Sequence, residues 1–285
     1  MAVKRVGVVG SGIMGGGITE VAALSGFYVV LRSREQATAD RTMTAIERSL
    51  DRRVDKASLT VDERNDALAR ITPTADLGLL TDCDLVIESV VEDLATKRHL
   101  FTELDRTCAD HTVIATNTST LPVVELAMET SRPAQVCGVH FFNPAQIMPL
   151  VEIVRPITAS DETIELARAF ALDCGKNPVL VQDRAGFIVN ALLFPYLNNA
   201  VRLLESGVAT KDDIDAAMRG GCGFPMGPFS LLDLVGLDTS VAILDALYEE
   251  YRDANFASVP LLRRMAAAGL LGRKSGRGFY EYPRS

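Results

Sequence analysis

The first half of the chain switches repeatedly between two hydrophobic periods. Short β-branched runs read as strands at Arg5 to Val9, Tyr28 to Leu31, Leu85 to Glu88, Thr112 to Thr116, Val136 to Phe141, Leu150 to Val154 and Val179 to Val181. Between them, apolar residues recur at helical spacing over Ile13 to Ser25, Arg34 to Val54, Leu59 to Arg70, Leu94 to Thr107 and Asp161 to Leu172. Thr60 followed by Glu63 fits a capping box at the head of one helix. This alternation predicts an α/β fold, a Rossmann-type and mostly parallel sheet clothed in helices.

The pattern changes after Asp183-Arg184-Ala185-Gly186. Phe187 to about Ser206 reads as one long apolar helix interrupted by Pro195, which predicts a kink. Thr210 precedes Lys211-Asp212-Asp213, acidic positions that favour a helix N-terminus. The remainder is helical pieces punctuated by Gly and Pro. Two domains are expected, the α/β domain over 1–184 and an all-helical domain over 185–285.

Composition narrows the classes. The chain has 285 residues, 48% hydrophobic and 23% charged, enough apolar material for substantial cores. Net charge is −8, so nucleic acid is not expected as a partner. No run approaches 18 uninterrupted apolar residues, and no membrane span is expected. The opening Met1-Ala2-Val3-Lys4-Arg5-Val6 enters a strand pattern instead of a signal peptide, so the expected location is cytoplasmic. Cys83, Cys108, Cys137, Cys174 and Cys222 are scattered without a C-x-x-C pair, which indicates neither a metal cluster nor a disulfide framework.

The first strand runs directly into Gly10-Ser11-Gly12-Ile13-Met14-Gly15, and a helix follows. This is the G-x-G-x-x-G dinucleotide pattern in its required strand–turn–helix setting. Gly10 permits the turn, Gly12 lets the backbone approach a pyrophosphate, and Gly15 allows close helix packing. The unpaired N–H groups at the helix start attract phosphate charge. The acidic residue that usually binds a ribose 2′-hydroxyl should end the second strand, yet that strand ends Arg32-Ser33-Arg34. Ser33 takes the acidic position and Arg34 offers a charge-assisted bond to a 2′-phosphate. The expected cofactor is NADP, with NAD as the alternative.

Of the three histidines, His99 lies on a polar helix and His111 in a polar turn. His140 ends an apolar strand, the position at which parallel sheets place chemistry. Alcohol oxidation needs a base that titrates near neutrality, and histidine is one. Glu152, embedded in Leu150-Val151-Glu152-Ile153-Val154, is costly there unless paired, and would suit the other ring nitrogen. Read from these residues alone, a hydrogen-bonded structural histidine fits better than a catalytic one.

Taken together, the glycine loop, Asn117-Thr118-Ser119, His140-Phe141-Phe142-Asn143-Pro144, Leu150-Val151-Glu152 and Gly186-Phe187-Ile188-Val189-Asn190 resemble the 3-hydroxyacyl-CoA dehydrogenase family. The likeness is strongest to its bacterial 3-hydroxybutyryl-CoA members. It extends through Pro225-Met226-Gly227-Pro228 and Asp233-Leu234-Val235-Gly236 to Lys274-Ser275-Gly276-Arg277-Gly278-Phe279-Tyr280. The resemblance implies that His140 is the catalytic base and Glu152 its partner. It implies that Ser119 and Asn190 bind the 3-oxygen of an (S)-3-hydroxyacyl-CoA thioester. Glu92 and Lys97 match residues contacting the nicotinamide half of the cofactor, and Gly10, Gly12, Ile13, Met14, Gly15, Ser33, Arg34, Asn117 and Asn143 complete the implied nucleotide contacts. The second domain matches the family's dimerisation domain, so a homodimer is expected.

The chain departs from the family at Ser33, where Asp is usual, and in a segment over 49–72 shorter than in mitochondrial relatives. Arg52, Arg53 and Lys56 in that segment are candidates for coenzyme A phosphates, or a solvated helix face. One rival substrate is an acyl group tethered to an acyl-carrier protein, because both ligands present a phosphopantetheine thioester. A non-catalytic, crystallin-like member is a remoter rival, and it predicts loss of His140, Glu152 or Ser119; all three are present.

Overall fold

A computed structural model describes residues 3–283; Met1 and Ala2 of the opening run lie outside the described residues. The chain divides into two units, Met1–Asp183 and Arg184–Ser285. The first contains β1 (Arg5–Val9), α1 (Ile13–Leu24), β2 (Tyr28–Arg32), α2 (Gln36–Asp55), α3 (Val61–Ala69), β3 (Ile71–Thr74) and β4 (Leu85–Glu88). It continues through α4 (Leu94–Thr107), β5 (Val113–Thr116), α5 (Val123–Ala127), β6 (Val136–Phe141), β7 (Leu150–Arg155), α6 (Asp161–Asp173) and β8 (Asn177–Gln182).

The strands form one sheet in the order β3-β2-β1-β4-β5-β6-β7-β8. Neighbours run parallel except at β6 and β7, which pair antiparallel. This is the α/β architecture expected from the pattern. The first six strands follow the doubly wound order, whose reversal beside β1 is where such sheets bind ligands.

The hydrophobic pattern omits one strand and one α-helix of this unit. β3 carries Pro73, which argues against a strand, but β3 is the outer strand of the sheet, where a missing N–H is tolerated. α5 is only five residues long, too short for a helical period to declare itself. The capping box is present: Thr60 accepts from the Glu63 N–H at 3.2 Å, and Glu63 accepts from the Thr60 N–H at 2.8 Å.

Alternate residues along the strands separate the two faces. Val6, Val8, Val29, Leu31, Ile87, Ala115, Val139, Phe141 and Ile153 join Ile18, Ile46, Leu50 and Phe170 of the covering helices in one core. Burial of this kind stabilises by roughly 25 cal/mol per Å² of apolar surface. The intervening residues Glu88, Thr116, His140 and Glu152 therefore point from the opposite face. That parity brings the polar side chains together.

The second unit comprises α7 (Val189–Glu205), α8 (Lys211–Cys222), α9 (Pro228–Val235), α10 (Leu237–Tyr251) and α11 (Pro260–Ala267). Its core gathers Phe194, Leu197, Val201, Phe229, Leu232, Leu244, Leu247 and Phe279. α7 is continuous through Pro195, the residue at which the sequence predicts a kink. Thr210 caps α8, accepting from the Asp213 N–H at 3.2 Å.

Two buried carboxylates hold the closing segment of this unit. Asp233 accepts from the Phe279 N–H at 2.9 Å, the Tyr280 N–H at 2.8 Å and the Tyr282 hydroxyl at 3.0 Å. Asp215 accepts from the Phe229 N–H at 2.8 Å and from the hydroxyls of Ser230 and Tyr280 at 2.7 and 3.1 Å. Burial and Asp215 together raise the Tyr280 phenol pKa well above its ordinary value. Among the described residues, no helix is long and apolar enough to cross a membrane.

Candidate active site

The glycine turn joins β1 to α1 and has the shape a pyrophosphate requires. Gly10 adopts φ +117°, and a Cβ there would lie 2.3 Å from the Ser89 carbonyl oxygen. A Cβ at Gly15 would stand 1.8 Å from the Gly10 carbonyl oxygen, so only glycine lets the helix sit this close to the turn. At Gly12 the Cβ direction is open, with nothing within 4 Å. No side chain caps α1, Ile13 is exposed, and Met14 packs against the core. The helix start thus presents uncapped backbone donors and its positive dipole end beside the open face of Gly12, which fits the phosphates of a dinucleotide.

At the end of β2, Ser33 is buried and its hydroxyl receives a hydrogen bond from Ser11 at 2.8 Å. The Ser33 N–H donates to the Thr74 carbonyl at 2.9 Å. Arg34 is exposed and Arg32 half-buried, so two guanidinium groups and no carboxylate flank the serine.

His140 and Glu152 are directly opposite in the β6–β7 register. The ring Nδ1 lies 2.8 Å from Glu152 Oε2, and both side chains are buried. On the other side of the ring, Nε2 lies 3.1 Å from the Ser119 hydroxyl. A carboxylate that accepts from Nδ1–H leaves Nε2 as the acceptor facing Ser119. The sheet therefore aims the basic nitrogen outward, at a half-buried hydroxyl.

Ser119 sits on the loop after β5, and an unusual share of that loop's donors end on carboxylates. Glu92 Oε1 accepts from the Thr118 hydroxyl at 2.6 Å, the Ser119 N–H at 2.8 Å and the Thr120 N–H at 3.3 Å. Glu92 Oε2 lies 3.4 Å from the Lys97 ammonium. Lys97 is only 1% exposed and donates to both oxygens of Glu88 at 2.7 and 2.8 Å. Glu88, fully buried at the end of β4, also accepts from the Val90 N–H at 2.6 Å and the Thr116 hydroxyl at 2.7 Å. Lys97 thus lies beneath the loop, its charge engaged by two carboxylates. Asn117 braces the loop against β6, accepting from the Phe141 N–H at 2.8 Å, while Asn143 is exposed.

Sequence reasoning missed several of these side chains. Glu88 reads as an ordinary strand terminus, and its one signal is a carboxylate closing an otherwise apolar run. Lys176 is missed as well: it is buried and donates to the carbonyls of Ala145 and Met148 at 2.6 and 3.0 Å, fixing the loop after His140. Burial lowers its ammonium pKa below the ordinary lysine value. Glu20 is buried in α1, accepts from Gln146 at 2.9 Å, and faces Arg53 across 3.9 Å. Arg53 is therefore turned toward a protein carboxylate, whereas Arg52 and Lys56 are exposed on α2 and just beyond it. Asn190 belongs to the second unit, buried in the first turn of α7.

The sheet order, the glycine turn and the helical second unit define a class, the nucleotide-binding dehydrogenases with an α/β domain followed by a helical one. Comparison with known proteins specifies it. The model for the NAD-binding domain of 3-hydroxyacyl-CoA dehydrogenase matches residues 5–184, and the model for that enzyme's C-terminal domain matches residues 186–282. The chain belongs to the 3-hydroxyacyl-CoA dehydrogenase family.

It is 47% identical over 283 residues to a 3-hydroxybutyryl-CoA dehydrogenase of Mycobacterium tuberculosis, covering 99% of each chain. To the mitochondrial hydroxyacyl-coenzyme A dehydrogenase of Sus scrofa it is 42% identical over 288 residues, covering 98% of this chain and 91% of that one. The crystal structure of (S)-3-hydroxybutyryl-CoA dehydrogenase from Ralstonia eutropha superposes with a TM-score of 0.97 at 38% identity, covering 99% of this chain and all of that one.

Proposed function

We propose that the protein interconverts (S)-3-hydroxyacyl-CoA and 3-ketoacyl-CoA, with the four-carbon 3-hydroxybutyryl-CoA as its substrate. The observation that carries this reading is His140, held between Glu152 at 2.8 Å and Ser119 at 3.1 Å at the end of a sheet strand. The names of the similar proteins from M. tuberculosis and R. eutropha support the substrate class.

A bound nicotinamide dinucleotide supplies the acceptor for the C3 hydride. His140 Nε2 takes the hydroxyl proton as the C3–O bond becomes a carbonyl, and Glu152 offsets the charge on the ring. Ser119 donates to the substrate oxygen and fixes its distance from Nε2. General-base catalysis of this kind contributes about 10²- to 10⁴-fold. In the reverse direction the ring returns the proton to the carbonyl oxygen. Steady-state reduction of acetoacetyl-CoA is the direct test. A folded, nucleotide-binding protein without turnover would overturn the reading and shift attention to carrier-bound acyl groups.

For the cofactor we infer NADP. The hydroxyls of Ser11 and Ser33, with Arg34 beside them, offer donors and charge for a 2′-phosphate, and no carboxylate stands at the strand end before Glu35. Initial rates with NADPH and NADH side by side check this. Ser33→Asp is expected to lower kcat/KM for NADPH by about 100-fold, the size of a like-charge clash at a binding site, and to spare NADH. An unchanged ratio would remove Ser33 from the argument.

A homodimer fits the apolar side chains that the second unit exposes, among them Leu192, Leu203, Val208 and Leu234. Light scattering should give twice the chain mass of 30.8 kDa.

A further inference from the structure

We propose that Glu92 is a positioning residue for the reaction, clamping the Ser119 loop so that the serine hydroxyl stays on His140 Nε2. This rests on the reading of His140 as base and Ser119 as its neighbour at the substrate oxygen. Five consecutive backbone N–H groups, from Asn117 to Leu121, each have an acceptor. Asn117 donates to the Glu88 carbonyl, Thr118 to the Thr116 hydroxyl, and Leu121 to the Thr118 hydroxyl. Ser119 and Thr120 depend on Glu92 Oε1.

Glu92 is not needed to cap α4, because Asp93 already accepts from the Thr96 N–H at 2.8 Å. It is also 39% exposed, and a solvent-facing glutamate ordinarily samples many rotamers. Here three donors hold one oxygen while Lys97 faces the other. Lys97 in turn cannot follow Glu92 outward, since buried Glu88 holds its ammonium at 2.7 and 2.8 Å. The buried pair is the anchor and Glu92 the arm. Together they tie β4 and α4 to the loop that carries the serine.

The experiment is a double-mutant cycle with an activity-independent readout beside it. Glu92→Ala should raise backbone hydrogen exchange at Ser119 and Thr120 in the free protein. It should lower kcat about 30-fold, because the three hydrogen bonds to the loop serve the reacting geometry. In a Ser119→Ala background the same change should cost less than about threefold, as expected for residues acting through one contact. Glu92→Gln keeps an accepting oxygen and should retain kcat to within about threefold.

Additive losses, a loss confined to nucleotide KM, or unchanged exchange at Ser119 would each overturn the proposal. If the wild-type protein does not reduce acetoacetyl-CoA, the functional reading fails. The exchange measurement still decides whether Glu92 clamps the loop.

Discussion

Replacing His140 by alanine should lower kcat for acetoacetyl-CoA reduction about a thousandfold, the upper range for losing a positioned acid–base group. Nucleotide affinity should survive, because the glycine turn lies on a different strand end. Glu152→Gln should fall by about 10²-fold or more, since an amide no longer enforces the tautomer that makes Nε2 the accepting nitrogen. Added imidazole should restore part of the activity of the alanine variant and none of that of a misfolded protein. Steady-state rates and nucleotide titration on the same samples check both variants. A His140→Ala variant that kept more than a tenth of its kcat would make the ring a structural element and move the base elsewhere.

A second large effect is expected in the second unit. Asp233→Ala should destabilise the second unit by roughly 3–5 kcal/mol, because it strips the acceptor from a buried and a half-buried backbone N–H group and a tyrosine hydroxyl at once. For a unit of this size that corresponds to a fall in Tm of about 15–30 °C, readable by circular dichroism or calorimetry. Asp238→Ala is the internal comparison. Asp238 pairs with Lys274 on the same unit, but both side chains are 46% exposed, so its removal should cost less than about 1 kcal/mol. Equal losses from the two substitutions would show that water replaces the donors' missing partner around Asp233.

The sequence exposes some of this and conceals the rest for physical reasons. Strand and helix existence is legible because burial of a two-faced sheet imposes period two and its covering helices impose 3.6. His140 and Glu152 stand out as polar residues stranded in apolar runs. What joins them is not legible: the antiparallel pairing of β6 and β7 and its register belong to tertiary structure. Lys97 is hidden more thoroughly, since its neighbours Thr96, Arg98 and His99 make the helix read as a solvent face. Its burial follows from how α4 lies against the end of β4. Glu92 is visible through its resemblance to a nucleotide contact, and its hydrogen bonds to the Ser119 loop leave no mark in the sequence. Asp215 carries no sequence signal beyond an acidic residue in a helix, whereas Asp233 interrupts the apolar run Leu231-Leu232-Asp233-Leu234-Val235 without showing what it holds.

The pairing of β6 with β7 has a consequence for how this site tolerates change. The imidazole and its carboxylate face each other because of one sheet register, and of the residues 142–149 that connect the strands Phe142 packs its ring 4.5 Å from the imidazole. A strand slip of one residue would turn Glu152 to the opposite face and destroy the pair. Lengthening or rewriting the connection beyond Phe142 leaves the pair where it is, provided the ladder re-forms. The His140–Glu152 pair is thus set by the ladder, and the connection beyond Phe142 can vary in length and sequence without turning either side chain to the other face.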